Sequence, residues 1–351
     1  MKVSLEWLGD LVEIRDTVSD MAEKLSIAGF EVESVEDMSK SLKGVIVGQI
    51  NSVKDHPNAD KLKVCNVNVG IDRNLQIVCG ANNVNKGIHV LVATENTYLP
   101  AINLKIKSSE LRGVKSEGMI CSYGELGINN SEEEGIAVLD TIANNKCAVG
   151  IQSSELLGMN DTILDLAITA NRPDGMSMMG IAREISALTG SKMNSFIVNE
   201  YESNKSFIDS KFDLNAIDNK SIYSLSRINN VDGNIKAPDW MIKRLNRSGL
   251  KSYNAIIDVT NYVMLEQGQP LHAFDADALE NLIGKQVSPS DFAVREANNG
   301  EEFLGIDGVK YTLDKKIYVI TCSDIIIAIA GVLGGLNSSV TSETKRIWLE
   351  A

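Results

Sequence analysis

Apolar and polar positions change period twice along this chain. Residues 1–40 begin with helical spacing: Leu5, Trp7, Leu8, Leu11 and Val12 form a short amphipathic segment. A second helix is expected over Asp20–Ala28, capped by Ser19, faced by Met21, Leu25 and Ala28, and stopped by Gly29. Phe30 to Val35 then alternates as a strand. From Val45 the period becomes two, with strands at 45–50, 62–69, 76–79 and 89–93 punctuated by Gly70, Gly80, Gly87, Gly113, Gly118 and Gly124. About 110 residues of short strands with little helix predict a small closed barrel. Helical spacing returns after a strand at 164–168 and a turn at Asn171-Arg172-Pro173-Asp174, with a helix over Ser177–Thr189 ended by Gly190. Residues 194–219 are polar and read as a linker with an edge strand; a strand over Tyr223–Ile228 and a helix opened by Pro238-Asp239-Trp240 follow. After a further helix at 276–282 the remainder is β-rich, ending in a strand from Arg346 to Ala351.

One stretch breaks the pattern of a core segment. From Asp258 to Asp275, Val259, Tyr262, Val263, Met264 and Leu265 read as a helix that Gly268 and Pro270 end. Thr260, Asn261, Glu266, Gln269, His272 and Asp275 are interleaved with them. Burying that many polar groups costs free energy unless each is paired, so the stretch reads as a site.

Composition narrows the chemistry. The chain has 351 residues, enough for two or three domains, with 44% hydrophobic and 23% charged residues. No apolar run approaches the roughly 20 residues needed to span a membrane. No signal-peptide core opens the chain, so a cytoplasmic protein without membrane contact is expected. Five cysteines with no CxxC spacing and three histidines argue against a disulfide frame or a metal centre; Cys79 and Cys121 read as small core residues. Net charge is −13, which disfavours DNA and any unspecialised nucleic-acid binding. The charge is uneven: residues 1–40 hold 4 basic and 10 acidic residues, 41–150 hold 11 of each, and 151–351 hold 19 and 26. RNA contacts therefore need local basic clusters. Lys243, Arg244 and Arg247, followed by Lys251, form one beside Trp240, read equally well as a solvated helix face. Glu132-Glu133-Glu134 reads as a solvated loop that phosphate avoids. The glycine-rich turn Ala330-Gly331-Val332-Leu333-Gly334-Gly335 lacks the GK[ST] ending of a phosphate loop and precedes a strand, so it is expected to let backbone approach a ligand.

Three segments in the barrel block carry a resemblance. His56-Pro57-Asn58-Ala59-Asp60-Lys61-Leu62, Ile77-Val78-Cys79-Gly80-Ala81-Asn82-Asn83 and Leu111 through Ser122 resemble, in order, the tRNA-binding OB-fold module of aminoacyl-tRNA synthetases. Such a barrel offers a groove where amides, hydroxyls and cations meet folded RNA, and Arg112, Lys115 and Ser116 are the expected contacts. His56-Pro57 itself reads as a turn with a capping histidine. Ala170 through Glu184 is similar to the segment that follows this module in the β subunit of bacterial phenylalanyl-tRNA synthetase, and 220–351 resembles that family's editing domain. The latter match is carried by Asn254 to Asp275, Gly305-Ile306-Asp307-Gly308, and Ile329 to Gly335 with Leu349-Glu350-Ala351.

The resemblance implies an α+β multidomain chain: a small α/β domain split between 1–40 and 151–195, an inserted OB-fold β-barrel at 41–150, and an α/β editing domain at 196–351. It implies an N-terminal fragment whose editing domain is truncated after Glu350 and which has no aminoacylation site of its own. The implied activity is hydrolysis of tyrosine misesterified to phenylalanine tRNA, with Thr260, Asn261, His272 and Gly331 at the reaction and Glu350 sensing the tyrosyl hydroxyl. His272 can act as base, position the water or hold the terminal ribose. No Ser-His-Asp order is evident, so a covalent intermediate is not expected. No cofactor or metal is expected for the fragment; the whole synthetase implies ATP and magnesium, an α subunit as partner and a heterotetramer of two α and two β. The competing expectation is a non-catalytic module that docks tRNA or the α subunit.

Overall fold

The structure, a computed structural model, describes residues 1–128, 135–139, 148–194 and 223–351, and the backbone of 209–212. The acidic run at 132–134, Cys147 and most of the polar segment 194–219 lie outside the described residues. The chain forms two compact units, one of residues 1–34 and 164–351 and one of residues 35–163.

β1 (Lys2–Ser4) leads into α1 (Leu5–Leu11), whose first turn is capped by the Ser4 hydroxyl accepting from the Trp7 amide. α2 (Val18–Ile27) begins two residues earlier than its apolar face predicts. Thr17, not Ser19, is its cap, because Thr17 Oγ1 accepts from the Asp20 amide and leaves Ser19 inside the first turn. β2 (Glu31–Asp37) follows.

The second unit contains β3 (Val45–His56), β4 (Ala59–Asn68), β5 (Leu75–Cys79), β6 (His89–Thr94) and β7 (Gly118–Ile120) in one antiparallel sheet of order β7–β6–β3–β4–β5. Its edges nearly meet: the Glu117 amide donates to the Gln76 carbonyl, and the Val78 amide to Ser116 Oγ. The result is a nearly closed five-stranded barrel with Ile50, Cys65, Val67, Ile77, Val90, Val92 and Ile120 in its interior. His56 caps its own turn, its Nδ1 accepting from the Asn58 amide while its Nε2 meets the Leu111 carbonyl. Asn58 Nδ2 donates to the Arg112 carbonyl, so these hydrogen bonds clamp the 56–58 turn to the 111–113 turn.

In the first unit, β8 (Thr162–Ala167) lies between β1 and β2 in a three-stranded sheet, and α3 (Met178–Thr189) packs Met178, Ile181, Ala182 and Ile185 against Trp7, Leu8, Met21, Leu25 and Phe30. The turn before α3 is a clasp. Arg172 donates to Asp174, Glu184 and the Ala28 carbonyl and lies 4.1 Å over the Phe30 ring. Gly180 is required there, because a Cβ would stand 1.7 Å from the Asp174 carbonyl oxygen.

The remainder of this unit holds β9 (Asp209–Phe212), β10 (Tyr223–Asn229), α4 (Asp239–Arg247), α5 (Ala255–Gln267), β11 (His272–Asp275), α6 (Ala276–Ile283), β12 (Phe292–Glu296), β13 (Tyr318–Cys322), β14 (Ile325–Ile329), β15 (Leu333–Gly334) and β16 (Arg346–Glu350). Two four-stranded sheets result, of order β9–β10–β16–β11 and β12–β13–β14–β15. A shared core joins them: Leu225, Phe274 and Trp348 from one meet Phe292, Ile320 and Ile327 from the other. Each such buried side chain contributes about 1.5–3 kcal/mol of hydrophobic stabilisation.

Candidate functional site

The polar residues of α5 divide into two groups. Asn254 caps the helix by accepting from the Ile257 amide. Asp258 is buried and accepts from Ser252 Oγ at 2.6 Å and the Tyr253 amide at 2.9 Å. Thr260 is also buried, and its hydroxyl donates back to the Ile257 carbonyl at 2.8 Å. Local hydrogen bonds thus explain why a helix this polar is stable. Gly268 ends it in the left-handed region, and the chain turns into β11 with His272 as its first residue.

Strand register then assembles a pocket. On β16, Glu350 stands opposite His272 of β11 on one side and Leu225 of β10 on the other, while Trp348 stands opposite Phe274. Side chains alternate along a strand, so Tyr223, Leu225, His272, Phe274, Trp348 and Glu350 share one sheet face. The inner part of that face is core; its end carries Tyr223, His272 and Glu350. A cavity of about 190 Å³ lies over this end, roofed by Ile320, Ala328 and Ile329 of the second sheet and by the 331–334 turn. His272, Gly331 and Glu350 line it, as do Pro270 and Leu271; Thr260 and Asn261 on α5 are not among the lining residues.

The cavity's electrostatics follow from burial. Burial pushes the Glu350 carboxyl up to about 7, while a 2.5 Å hydrogen bond donated by the Tyr223 hydroxyl to Oε2 pulls it down. Burial, reinforced by the neighbouring carboxylate, raises the Tyr223 phenol, so it remains a donor. Burial lowers His272, keeping its imidazole neutral near pH 7; Nε2 is buried without a hydrogen-bond partner among the described residues, and the ring packs edge-on against Phe274 with centroids 4.6 Å apart. Gly334 makes this packing feasible: a Cβ there would stand 2.6 Å from Cε1 and 2.9 Å from Nε2 of His272. Gly331, with φ of 68°, takes the left-handed conformation at the turn. Tyr223 and Gly334 were not singled out from the sequence. The glycine pair was visible there, whereas Tyr223 reaches Glu350 only through a pairing 127 residues apart.

The expected RNA contacts fall in different surroundings. Arg112 is exposed, with φ of 48°, and its guanidinium has no partner among the described residues. Lys115 is exposed and pairs with Glu117 at 2.9 Å. Ser116 is buried; its hydroxyl accepts from the Val78 amide and donates to the Gly118 carbonyl, so it closes the barrel edge. On α4, Lys243 is exposed, but Arg244 and Arg247 are engaged internally. Arg244 donates to Asp10 and to the Tyr262 hydroxyl and sits 5.3 and 5.4 Å from the Trp7 and Trp240 rings; Arg247 pairs with Glu6. These two arginines fasten α4 to α1. No group of side chains that could hold a metal ion occurs among the described residues, and no described helix is long and apolar enough to cross a membrane.

Comparison with known proteins matches both units. A family model described as a B3/4 domain matches residues 220–351, and one described as a putative tRNA binding domain matches residues 45–145. Over its whole length the chain is 51% identical to the phenylalanine–tRNA ligase β subunit of Prochlorococcus marinus strain MIT 9313, covering 43% of that protein. It is 52% identical to the same subunit from the subspecies pastoris strain CCMP1986, covering 42% of it. The chain belongs to the phenylalanine–tRNA ligase β-subunit family. It spans less than half the length of these relatives. A solved N-terminal fragment of the phenylalanyl-tRNA synthetase β subunit from Pyrococcus horikoshii is 16% identical, covering 54% of this chain and 55% of its own, with a TM-score of 0.25, too low to bear on the fold. Within the ligase-family chain, every residue lining the cavity lies inside the B3/4 match, and Arg112, Lys115 and Ser116 lie inside the tRNA-binding match.

Proposed function

We propose that the cavity between the two sheets hydrolyses tyrosine misesterified to phenylalanine tRNA. One observation carries the reading: a half-buried carboxylate, Glu350, closes a cavity beside a neutral histidine, with no cation among the described residues that line it. At about 190 Å³ the cavity is smaller than the roughly 300–1,000 Å³ of drug-sized ligand sites and suits one amino-acid side chain. An ionised Glu350 accepts the tyrosyl hydroxyl. A phenylalanyl side chain would leave the carboxylate's second oxygen without a donor, at a cost of about 1–3 kcal/mol. Sites built for a hydroxyl reject the analogue lacking it far better than apolar pockets reject an added one, which is why a second sieve is useful. His272 is assigned to the attacking water or the terminal ribose, and the Gly331 turn to close approach of the ester. Thr260 and Asn261 are assigned to shaping the helix behind the site.

In this reading residues 41–150 are the OB-fold tRNA-binding domain, 1–40 with 151–195 the split α/β domain, and 196–351 the editing domain. The chain acts in the cytoplasm within a synthetase of two α and two β subunits, where the α subunit, with ATP and magnesium, charges the tRNA. The test is deacylation of tyrosyl- and phenylalanyl-tRNA by the chain and by the whole synthetase. The tyrosyl ester is expected to be cleaved faster, and a synthetase that cleaves neither ester ends the hydrolytic reading.

Two further outcomes concern the barrel. Arg112→Ala is expected to weaken tRNA binding across salt concentrations and to lower the salt slope by about one, because an unpaired exposed guanidinium is free to displace one counterion. Ser116→Ala is expected to act through the fold, lowering stability by about 1–2 kcal/mol in urea, because the Val78 amide and Gly118 carbonyl lose their partner. Filter binding over a salt series, beside urea unfolding, separates the two; an unchanged salt slope for Arg112→Ala removes it from the interface.

A further inference from the structure

We propose that Tyr223 is a specificity-positioning residue of this cavity: its hydroxyl holds one oxygen of Glu350 and leaves the other to receive a substrate hydroxyl. The inference rests on the reading of the cavity as a tyrosyl-ester site. Its ground is geometric. Glu350 is opposite Leu225, so Tyr223, two residues back along β10, lies on the diagonal of the same face and reaches Oε2 at 2.5 Å. Among the described residues this is the hydrogen bond that Glu350 makes with a side chain.

Among the described residues, the groups facing Glu350 offer no side-chain hydrogen bond to its carboxylate besides that of Tyr223. From β11 comes His272, neutral through burial. From the second sheet come Ile320, Ala328 and Ile329, and from the turn the backbone of Gly331 to Gly334. Cys322, beside Tyr223, is pushed up to about 12 by burial and stays an uncharged thiol. With no cation among the described residues that line the cavity, hydroxyl donors decide whether the carboxylate is ionised. Tyr223 is the resident donor and a tyrosyl substrate supplies the second, one for each oxygen. A phenylalanyl substrate leaves the second oxygen bare. Without Tyr223 the carboxyl takes up a proton at a higher pH, and a protonated carboxyl no longer demands a donor. The sign follows: selectivity is present above the Glu350 midpoint and lost below it, so removing Tyr223 moves the loss upward in pH.

The test is Tyr223→Phe in the whole synthetase, with deacylation of both esters measured from pH 6 to 9 and equilibrium binding of tyrosinamide and phenylalaninamide measured alongside. The tyrosyl-to-phenylalanyl ratio of kcat/KM is expected to fall at least tenfold at pH 7, with its pH midpoint raised. In a Glu350→Gln background, where residue 350 does not titrate, the same substitution is expected to leave the pH profile unmoved. A ratio and midpoint unchanged by Tyr223→Phe, or an equal effect in the Glu350→Gln background, overturns the inference. Binding separates it from the editing reading. Wild-type preference for tyrosinamide that Tyr223→Phe abolishes, without hydrolysis of either ester, ends the editing reading and leaves Tyr223 in place; absence of that preference in the wild type overturns the role of Tyr223.

Discussion

Gly334→Ala is expected to cut hydrolysis of the tyrosyl ester by about 100-fold while the chain stays folded. The added methyl has one place to go, and the His272 ring occupies it: Cε1 would be 2.6 Å away and Nε2 2.9 Å. Something has to yield. The ring rests on Phe274, whose side chain is fully buried in the core between the sheets, so it cannot retreat in that direction. Turning out of its rotamer carries the imidazole away from Glu350, its neighbour across the strands. Overpacking of this kind costs about 1–3 kcal/mol, less than a domain's usual stability, so the loss should appear in the rate before it appears in the fold. Urea unfolding and deacylation of tyrosyl-tRNA on the same preparation give both numbers. A folded alanine variant that hydrolyses within twofold of wild type would show that the position of His272 does not matter to the reaction.

How far the sequence led is clearest at α5 and at the cations. The helix and its Gly268 stop were legible because apolar spacing and a left-handed glycine are local signals. Its polar residues were read as a single site, yet Asp258 and Thr260 spend their hydrogen bonds within six residues of themselves. Polarity at a buried position signals that a partner exists, and says nothing of whether that partner is a ligand or the next turn of backbone. Arg244 and Arg247 show the opposite limit. Their spacing suggested a phosphate contact, but Asp10 and Glu6, 234 and 241 residues away, take up their charge. Such pairings depend on how α4 docks, which no local pattern encodes. Ser19 failed as a cap for a smaller reason: a hydroxyl two residues earlier, Thr17, already satisfied the first turn. His272 stood out within the polar stretch, whereas Glu350 was reached by resemblance alone; the antiparallel register of β11 and β16 makes them neighbours. Tyr223 carried no signal because a tyrosine in an alternating strand is what any half-buried sheet contains.

Glu350→Gln is expected to remove the tyrosyl preference and to stabilise the protein above neutral pH, and the two effects share one cause. Glutamine keeps the shape of the side chain and an acceptor oxygen for Tyr223 but cannot become an ion. The preference for the tyrosyl ester should fall by about 10- to 100-fold, the range that loss of one hydrogen bond to a charged partner supports. For stability, the folded-state carboxyl titrates near 7 through burial, against an unfolded value near 4.3. The folded protein therefore holds a proton that the unfolded chain has released. The stability this contributes is complete below the unfolded value, falls as pH rises, and is gone once pH passes the folded value. The wild type thus weakens between about pH 4.5 and 8 by about 1–3 kcal/mol on account of this group, and the glutamine variant does not. Thermal unfolding of both proteins at pH 5 and pH 8 should show the variant gaining on the wild type as pH rises. Curves that stay parallel would mean that Glu350 is already ionised at pH 5, in which case the cavity holds its charge without strain and the hydroxyl of a substrate has little left to stabilise.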